Sequence, residues 1–159
     1  GEEYPDHLVE KEIPLFLANQ KADAFNDEID KRTLVITADT IVWLEGEVIN
    51  KPKDDKEAYE ILKKLSGKVH QVYTGVCIRT LNQKTSFSSQ TNVYFKELTD
   101  KEIWYYIDKY EPFDKAGAYG IQEWLGYIGV EKIEGSFFNV MGLPVQKLYV
   151  ELQKLLDNL

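Results

Sequence analysis

The first residue in this chain placed to do chemistry is an acid set in an apolar run. Residues 33–52 read TLVITADTIVWLEGEVINKP. Leu34, Val35, Ile36 and Thr37 are strand formers that end at Ala38-Asp39-Thr40, and a second apolar run, residues 41–44, follows. A carboxylate in such a run is expensive to bury unless something pairs with it. Asp39 is therefore either a functional group or the polar end of a strand before an ordinary turn. Lys51 stands at the mouth of the return strand, in Asn50-Lys51-Pro52, where Pro52 stops further ladder bonding. Lys21 falls on the same helical face as Leu17 and Ala24. That is the place of a snorkelling stem with a wet tip, or of a cation delivered to a site. Residues 113–122, FDKAGAYGIQ, hold two glycines and two alanines. So little side chain lets a ligand approach the backbone closely, or lets two elements cross in a crowded place.

These residues need elements to position them. Pro14 suits the first turn of a helix that carries Lys21. After Pro52, Asp54 or Asp55 can cap a helix with Ala58, Ile61, Leu62 and Leu65 on its apolar face and Gly67 at its stop. Residues 69–81 read as a strand, Asn82-Gln83 as a turn and residues 84–95 as its antiparallel return. Ser86, Ser88, Ser89 and Gln90 mark that return as exposed or at an edge. Thr99-Asp100-Lys101-Glu102 is a capping box that opens a helix with Ile103, Tyr106, Ile107 and Tyr110 inward. Residues 126–133 read as a strand and residues 136–140 as another short one. Residues 144–156 form a terminal amphipathic helix. Helices interleaved with hairpin-like strands predict an α/β domain with a mixed sheet, since the strict strand–helix alternation of a parallel sheet is absent.

Composition narrows the function. A chain of 159 residues fits one domain with a real core. A net charge of −8 argues against a nucleic-acid polymer or an anionic membrane as partner. It leaves room for a small anion held by a few converging cations and a metal. The single cysteine, Cys77, rules out an internal disulfide and a Cys-based zinc site. His7 and His70 carry no ligand spacing. No run approaches the roughly 18 apolar residues of a spanning helix and no signal-peptide pattern opens the chain, so the cytoplasm is the expected compartment. The chain opens at Gly1 without Met, which suggests a trimmed start.

Four motifs in register, ITADTIVWLEGEVINKP, LKKLSGKVHQVYTGV, EPFDKAGAYGIQ and NVMGLP, resemble the Maf family of nucleoside triphosphate pyrophosphatases. The resemblance covers nearly the whole chain, from about residue 17 to about residue 152. It implies a Maf/Ham1 (ITPase-like) fold: one α/β domain over residues 1–159, a mixed β-sheet flanked by helices, and a deep cleft, commonly in a homodimer. It implies hydrolysis of a nucleoside triphosphate to the monophosphate and pyrophosphate with a divalent cation, Mg²⁺ or Mn²⁺. Asp39 matches the family's catalytic acid, a general base and metal neighbour. Lys21 and Lys51 match lysines that face the phosphates, and Glu2 or Glu3 matches a further metal-site carboxylate. Thr40 and Gln122 match positions tied to base choice, in the combination of the subgroup that prefers dTTP and UTP.

Elementary chemistry agrees with this assignment. Water attack on a phosphoryl group needs a carboxylate near the metal and cations to offset phosphate charge. A Gln amide offers both a donor and an acceptor to the imide edge of uracil or thymine. The family's first strand and its Ser/Pro/Arg-Arg phosphate loop have no counterpart here, so the 159 residues alone are expected to bind and turn over triphosphate poorly. The competing reading is a catalytically weak nucleotide-binding regulator of septum formation.

Overall fold

Where the sequence pattern breaks at Asp39, the backbone does not. In the computed structural model, which describes residues 3–157, one ten-residue strand, β1 (Val35–Leu44), runs straight through Ala38-Asp39-Thr40. It is preceded by α1 (Glu12–Asp23) and turns at Glu45-Gly46 into β2 (Glu47–Ile49). Then come α2 (Asp55–Leu65), β3 (Val69–Arg79), β4 (Lys84–Phe95), α3 (Asp100–Tyr110), α4 (Trp124–Gly129), β5 (Val130–Glu134), α5 (Phe137–Met141) and α6 (Val145–Asp157). The strands form one sheet in the order β2-β1-β3-β4-β5. The α/β class with flanking helices stands as expected. Where a mixed sheet was expected, β1 pairs antiparallel with β2, Val42 opposite Ile49, and β4 antiparallel with β5, Val93 opposite Ile133. The β5 pairing reaches only from Asn92 to Phe95 of β4, which agrees with the polar Ser86–Gln90 stretch lying exposed or at an edge.

Side-chain caps fix where α2 and α3 begin. The Asp54 carboxylate accepts from the Glu57 N–H, and the Thr99/Glu102 capping box closes in both directions. Two expectations are corrected. Residues 126–133 are not one strand, because residues 124–129 wind into α4 before β5 begins. Gly126 permits this: a Cβ there would lie 2.0 Å from the Ile121 carbonyl oxygen, so the close approach selects helix over the strand preference of Tyr127 and Ile128. Residues 136–140 are not a strand either: Phe137–Met141 form helix α5, which the Ser136 hydroxyl caps by accepting from the Asn139 N–H.

The chain divides into two compact units. One comprises the chain up to Thr40, Tyr73–Gln90 and the chain from Ser136; the other comprises Ile41–Val72 and Thr91–Gly135. In the first, Val76, Ile78, Phe87, Leu148 and Leu155 form an apolar cluster with Ala38, Leu143 and Leu152 against it. Helix α1 crosses β3 at Gly75, where a Cβ would stand 2.4 Å from the Leu15 nitrogen. Ala18, Ala22 and Cys77 pack there as a small-residue cluster. In the second, Tyr59 of α2 stacks on Trp104 of α3 at 4.9 Å, and Tyr59 and Lys63 both donate to Asp100. No helix among the described residues is long and apolar enough to cross a membrane.

Candidate active site

Asp39 is 8% exposed and lies within a strand, so its burial demands compensation. The compensation comes from α1. Lys21 places Nζ 2.8 Å from Asp39 Oδ1 and also donates to the Ala38 carbonyl at 3.3 Å. The Lys21 side chain is 42% exposed, so the ammonium meets both the carboxylate and solvent. Two further features hold α1 in register for this contact. The Thr37 hydroxyl, two residues before Asp39 and on the same face of β1, donates to the Ala18 carbonyl at 2.6 Å. Ala18 is one helical turn before Lys21. At the other end of α1, the approach at Gly75 leaves no room for a side chain between helix and strand.

Thr40 is half-buried, and its hydroxyl is engaged. It lies 2.8 Å from the Thr74 hydroxyl on β3 and donates to the Gly142 carbonyl at 3.3 Å. Thr74 in turn reaches the Asn139 carbonyl at 3.4 Å. The hydroxyl pair ties the middle of β1, next to Asp39, to the NVMGLP segment. Nothing in the sequence distinguishes Thr74 within VYTGV from an ordinary strand residue.

Lys51 and Gln122 are both exposed and both belong to the second unit. They are linked through the backbone, since the Gly117 N–H donates to the Asn50 carbonyl at 3.3 Å. The segment between them is conformationally unusual: Gly117 and Ala118 are consecutive left-handed residues, with φ of 75° and 60°. For alanine that costs about 1 kcal/mol and persists only where the surroundings enforce it. Tyr119 provides one anchor. Its buried ring packs edge-on against His70 and Phe95, and its hydroxyl lies 2.6 Å from His70 Nε2. Burial pushes the His70 imidazole down to about 4, so it is neutral at pH 7. Lys115, inside the same segment, pairs with Asp114 at 3.0 Å and with Glu123 at 3.2 Å. Burial pulls its pKa down, but the bonds and charges of the two carboxylates outweigh burial and hold it above the usual lysine value. Asp114 is held below the usual carboxylate range by the Lys115 hydrogen bond, with a smaller contribution from the charge of Lys51.

Of the two acids expected near a metal, Glu3 is exposed and Glu2 lies outside the described residues. Among the described residues no group of three His, Cys, Asp or Glu side chains converges. Sequence reasoning also missed Glu123 and the hydroxyl of Tyr106. Only the three-dimensional crossing of α3 with residues 113–122 brings those groups together.

A profile of the family described as Maf-like protein matches residues 2–155. A dTTP/UTP pyrophosphatase of Phocaeicola vulgatus is 58% identical over 154 residues, 97% of this chain and 80% of that protein. The protein of the same description from Bacteroides thetaiotaomicron is 55% identical, with the same coverage. That from Porphyromonas gingivalis is 50% identical over 155 residues, 96% of this chain and 78% of its own. The profile match spans Lys21, Asp39, Lys51 and Gln122, and the chain belongs to the Maf family.

Proposed function

We propose that this protein is a nucleoside triphosphate pyrophosphatase that hydrolyses dTTP and UTP to the monophosphate and pyrophosphate. The observation that carries the reading is the buried Asp39 carboxylate with the Lys21 ammonium 2.8 Å from it, in a chain whose Maf relatives are described as dTTP/UTP pyrophosphatases. The match of one family profile to residues 2–155 supports reading the chain as one Maf-like domain. The net charge of −8 favours a small nucleotide over a nucleic-acid polymer. With such substrates, the cytoplasm is the compartment of action, and the homodimer implied by the family is open to light scattering.

In this mechanism water adds across the α–β anhydride, and the bond to the pyrophosphate leaving group breaks. Asp39 takes the proton of the attacking water as general base. Lys21 offsets charge beside it, and Lys51 offers a second cation to the phosphates. Thr40 acts through its bonds to Thr74 and Gly142 to hold β1 in place beside Asp39, and Gln122 offers its amide to the imide edge of the base. The donor set fits Mg²⁺ or Mn²⁺. A single buried carboxylate is enough where water and substrate phosphates fill the other positions, as is usual for Mg²⁺. Asp39 would hold the ion, with Glu2 or Glu3 as the second carboxylate, and the bound ion would supply Lewis-acid stabilisation of phosphate charge.

The test is pyrophosphate release, by the chain carried to the full length of its relatives, from a panel of dTTP, UTP, CTP, ATP, GTP and a methylated guanosine triphosphate. Turnover led by dTTP and UTP is expected. A purine optimum would remove the base assignment alone. Nucleotide binding with no turnover of any substrate would overturn the enzyme reading in favour of a regulator.

A further inference from the structure

We infer that Glu123 is a positioning residue for base selection, fixing the turn that presents Gln122. The inference rests on the reading of Gln122 as a base-selecting group. Glu123 Oε1 is the acceptor on which the local bonds meet. It receives the Tyr106 hydroxyl at 3.2 Å and the Lys115 ammonium at 3.2 Å. The same Tyr106 oxygen accepts from the Gly120 N–H at 3.1 Å, and the Glu123 N–H donates to the Gly120 carbonyl at 3.0 Å. Both backbone polar groups of Gly120 are thus held, one by the Glu123 backbone and one by the hydroxyl that the Glu123 carboxylate orients.

The space inside this ring is closed. A Cβ on Gly120 would lie 2.6 Å from Glu123 Oε1 and 3.0 Å from Lys115 Cε. The ring is also anchored in the core, because Tyr106 of α3 is fully buried, and the Glu123 side chain is only 26% exposed. On the far side, Ile121 is buried and its carbonyl presses on Gly126 of α4. Gln122 lies between these two fixed points. Its exposed side chain takes its direction from a backbone gripped on both sides, and an amide can discriminate between bases only if it is held in one orientation.

A role confined to fold stability would change melting temperature and leave base choice alone, and that difference supplies the test. UTP and CTP differ at the edge a glutamine amide reads, so the ratio of their kcat/KM values reports orientation and cancels general damage. Gln122→Ala should collapse the ratio. Glu123→Ala should lower it by about tenfold, mostly through a raised KM for UTP. Glu123→Gln keeps an oxygen for Tyr106 and Lys115 and should stay within about threefold of wild type. Tyr106→Phe, which preserves ring volume, should reproduce the alanine effect and serves if Glu123→Ala does not fold. The double variant Gln122→Ala/Glu123→Ala should lose no more of the ratio than Gln122→Ala alone.

An unchanged ratio in Glu123→Ala and Tyr106→Phe, equal losses for UTP and CTP, an additive double variant, or a Gln variant as impaired as Ala would each overturn the inference. If Gln122→Ala itself leaves the ratio unchanged, the base-selecting reading of Gln122 has failed, and the inference falls with it. If the wild-type protein hydrolyses neither nucleotide, the same ratio is read from the dissociation constants of UTP and CTP.

Discussion

At the residue scale, the Asp39–Lys21 pair decides how two substitutions differ. Asp39→Asn keeps shape and a hydrogen-bonding group but cannot accept the proton of the attacking water. Turnover should fall by at least roughly a hundredfold with the fold retained, as general-base removal does. Near wild-type turnover in that variant would make Asp39 a structural strand residue. Read as a phosphate-facing lysine alone, Lys21 should be replaceable without loss of stability. The 2.8 Å contact to a buried carboxylate changes that expectation. Lys21→Ala leaves Asp39 with less compensation, and the half-wet ammonium puts the loss between an exposed and a buried pair, about 1–2 kcal/mol. Urea titration should show the lowered midpoint for Lys21→Ala, and Lys51→Ala, exposed beside a turn, should leave it in place while weakening nucleotide binding. Equal midpoints for Lys21→Ala and wild type would mean that solvent, not Lys21, compensates Asp39.

At the element scale, what the sequence made legible divides by the range of the forces involved. Helices α2, α3 and α6 and the β3–β4 hairpin were readable because a cap or turn and an apolar stripe agree locally. Strand β1 reads as broken in the sequence, because an acid within a strand looks like its end until the lysine of another element is known. Helix α4 reads as a strand in the sequence, since Tyr127, Ile128 and Val130 favour one; the backbone of Ile121, folded back on Gly126 five residues later, overrides them, and residue preferences do not show that close approach. In the same way Asp39, Lys21 and Lys51 could be picked out by charge in apolar or turn contexts. Thr74, Tyr106 and Glu123 look like ordinary strand and helix residues until elements cross. One crossing gives a prediction of its own. At Gly75 the backbone of α1 stands 2.4–2.5 Å from where a Cβ would be, and backbone cannot rotate away as a side chain can. Gly75→Ala must therefore push α1 off β3, costing about 1–3 kcal/mol as overpacking does, and it moves the helix that carries Lys21. Turnover should fall along with the melting temperature. Loss of stability with full turnover would show that Lys21 keeps its place without that crossing.

At the scale of the whole molecule, acid should act in two separable steps. His70 is fully buried, its imidazole neutral, with Nε2 at the Tyr119 hydroxyl and Nδ1 buried without a hydrogen-bond partner. Protonating it in the fold would bury a charge and create a donor with nothing to receive it. Its folded value of about 4 lies below the 6.5 of an unperturbed histidine. The unfolded chain therefore binds this proton first. Stability from this group is complete above pH 6.5 and falls as the pH drops from 6.5 to about 4, by about 3 kcal/mol in all. The carboxylates held low, Asp30, Asp100, Glu102, Asp114 and Glu134, work in a different window. Their contribution is present above their ordinary values near 4 and is lost only below them. Meanwhile the net charge of −8 shrinks as the pH approaches the isoelectric point near 4.8, which relieves self-repulsion and works against the histidine effect. His70→Gln separates the two, since the amide still reaches for Tyr119 but does not titrate. Urea unfolding between pH 7.5 and 4.2 should show a falling free energy in the wild type and a flat or slightly rising one in His70→Gln, with both dropping below pH 4. Parallel curves for the two proteins across the upper window would place the acid sensitivity elsewhere and leave His70 as packing alone.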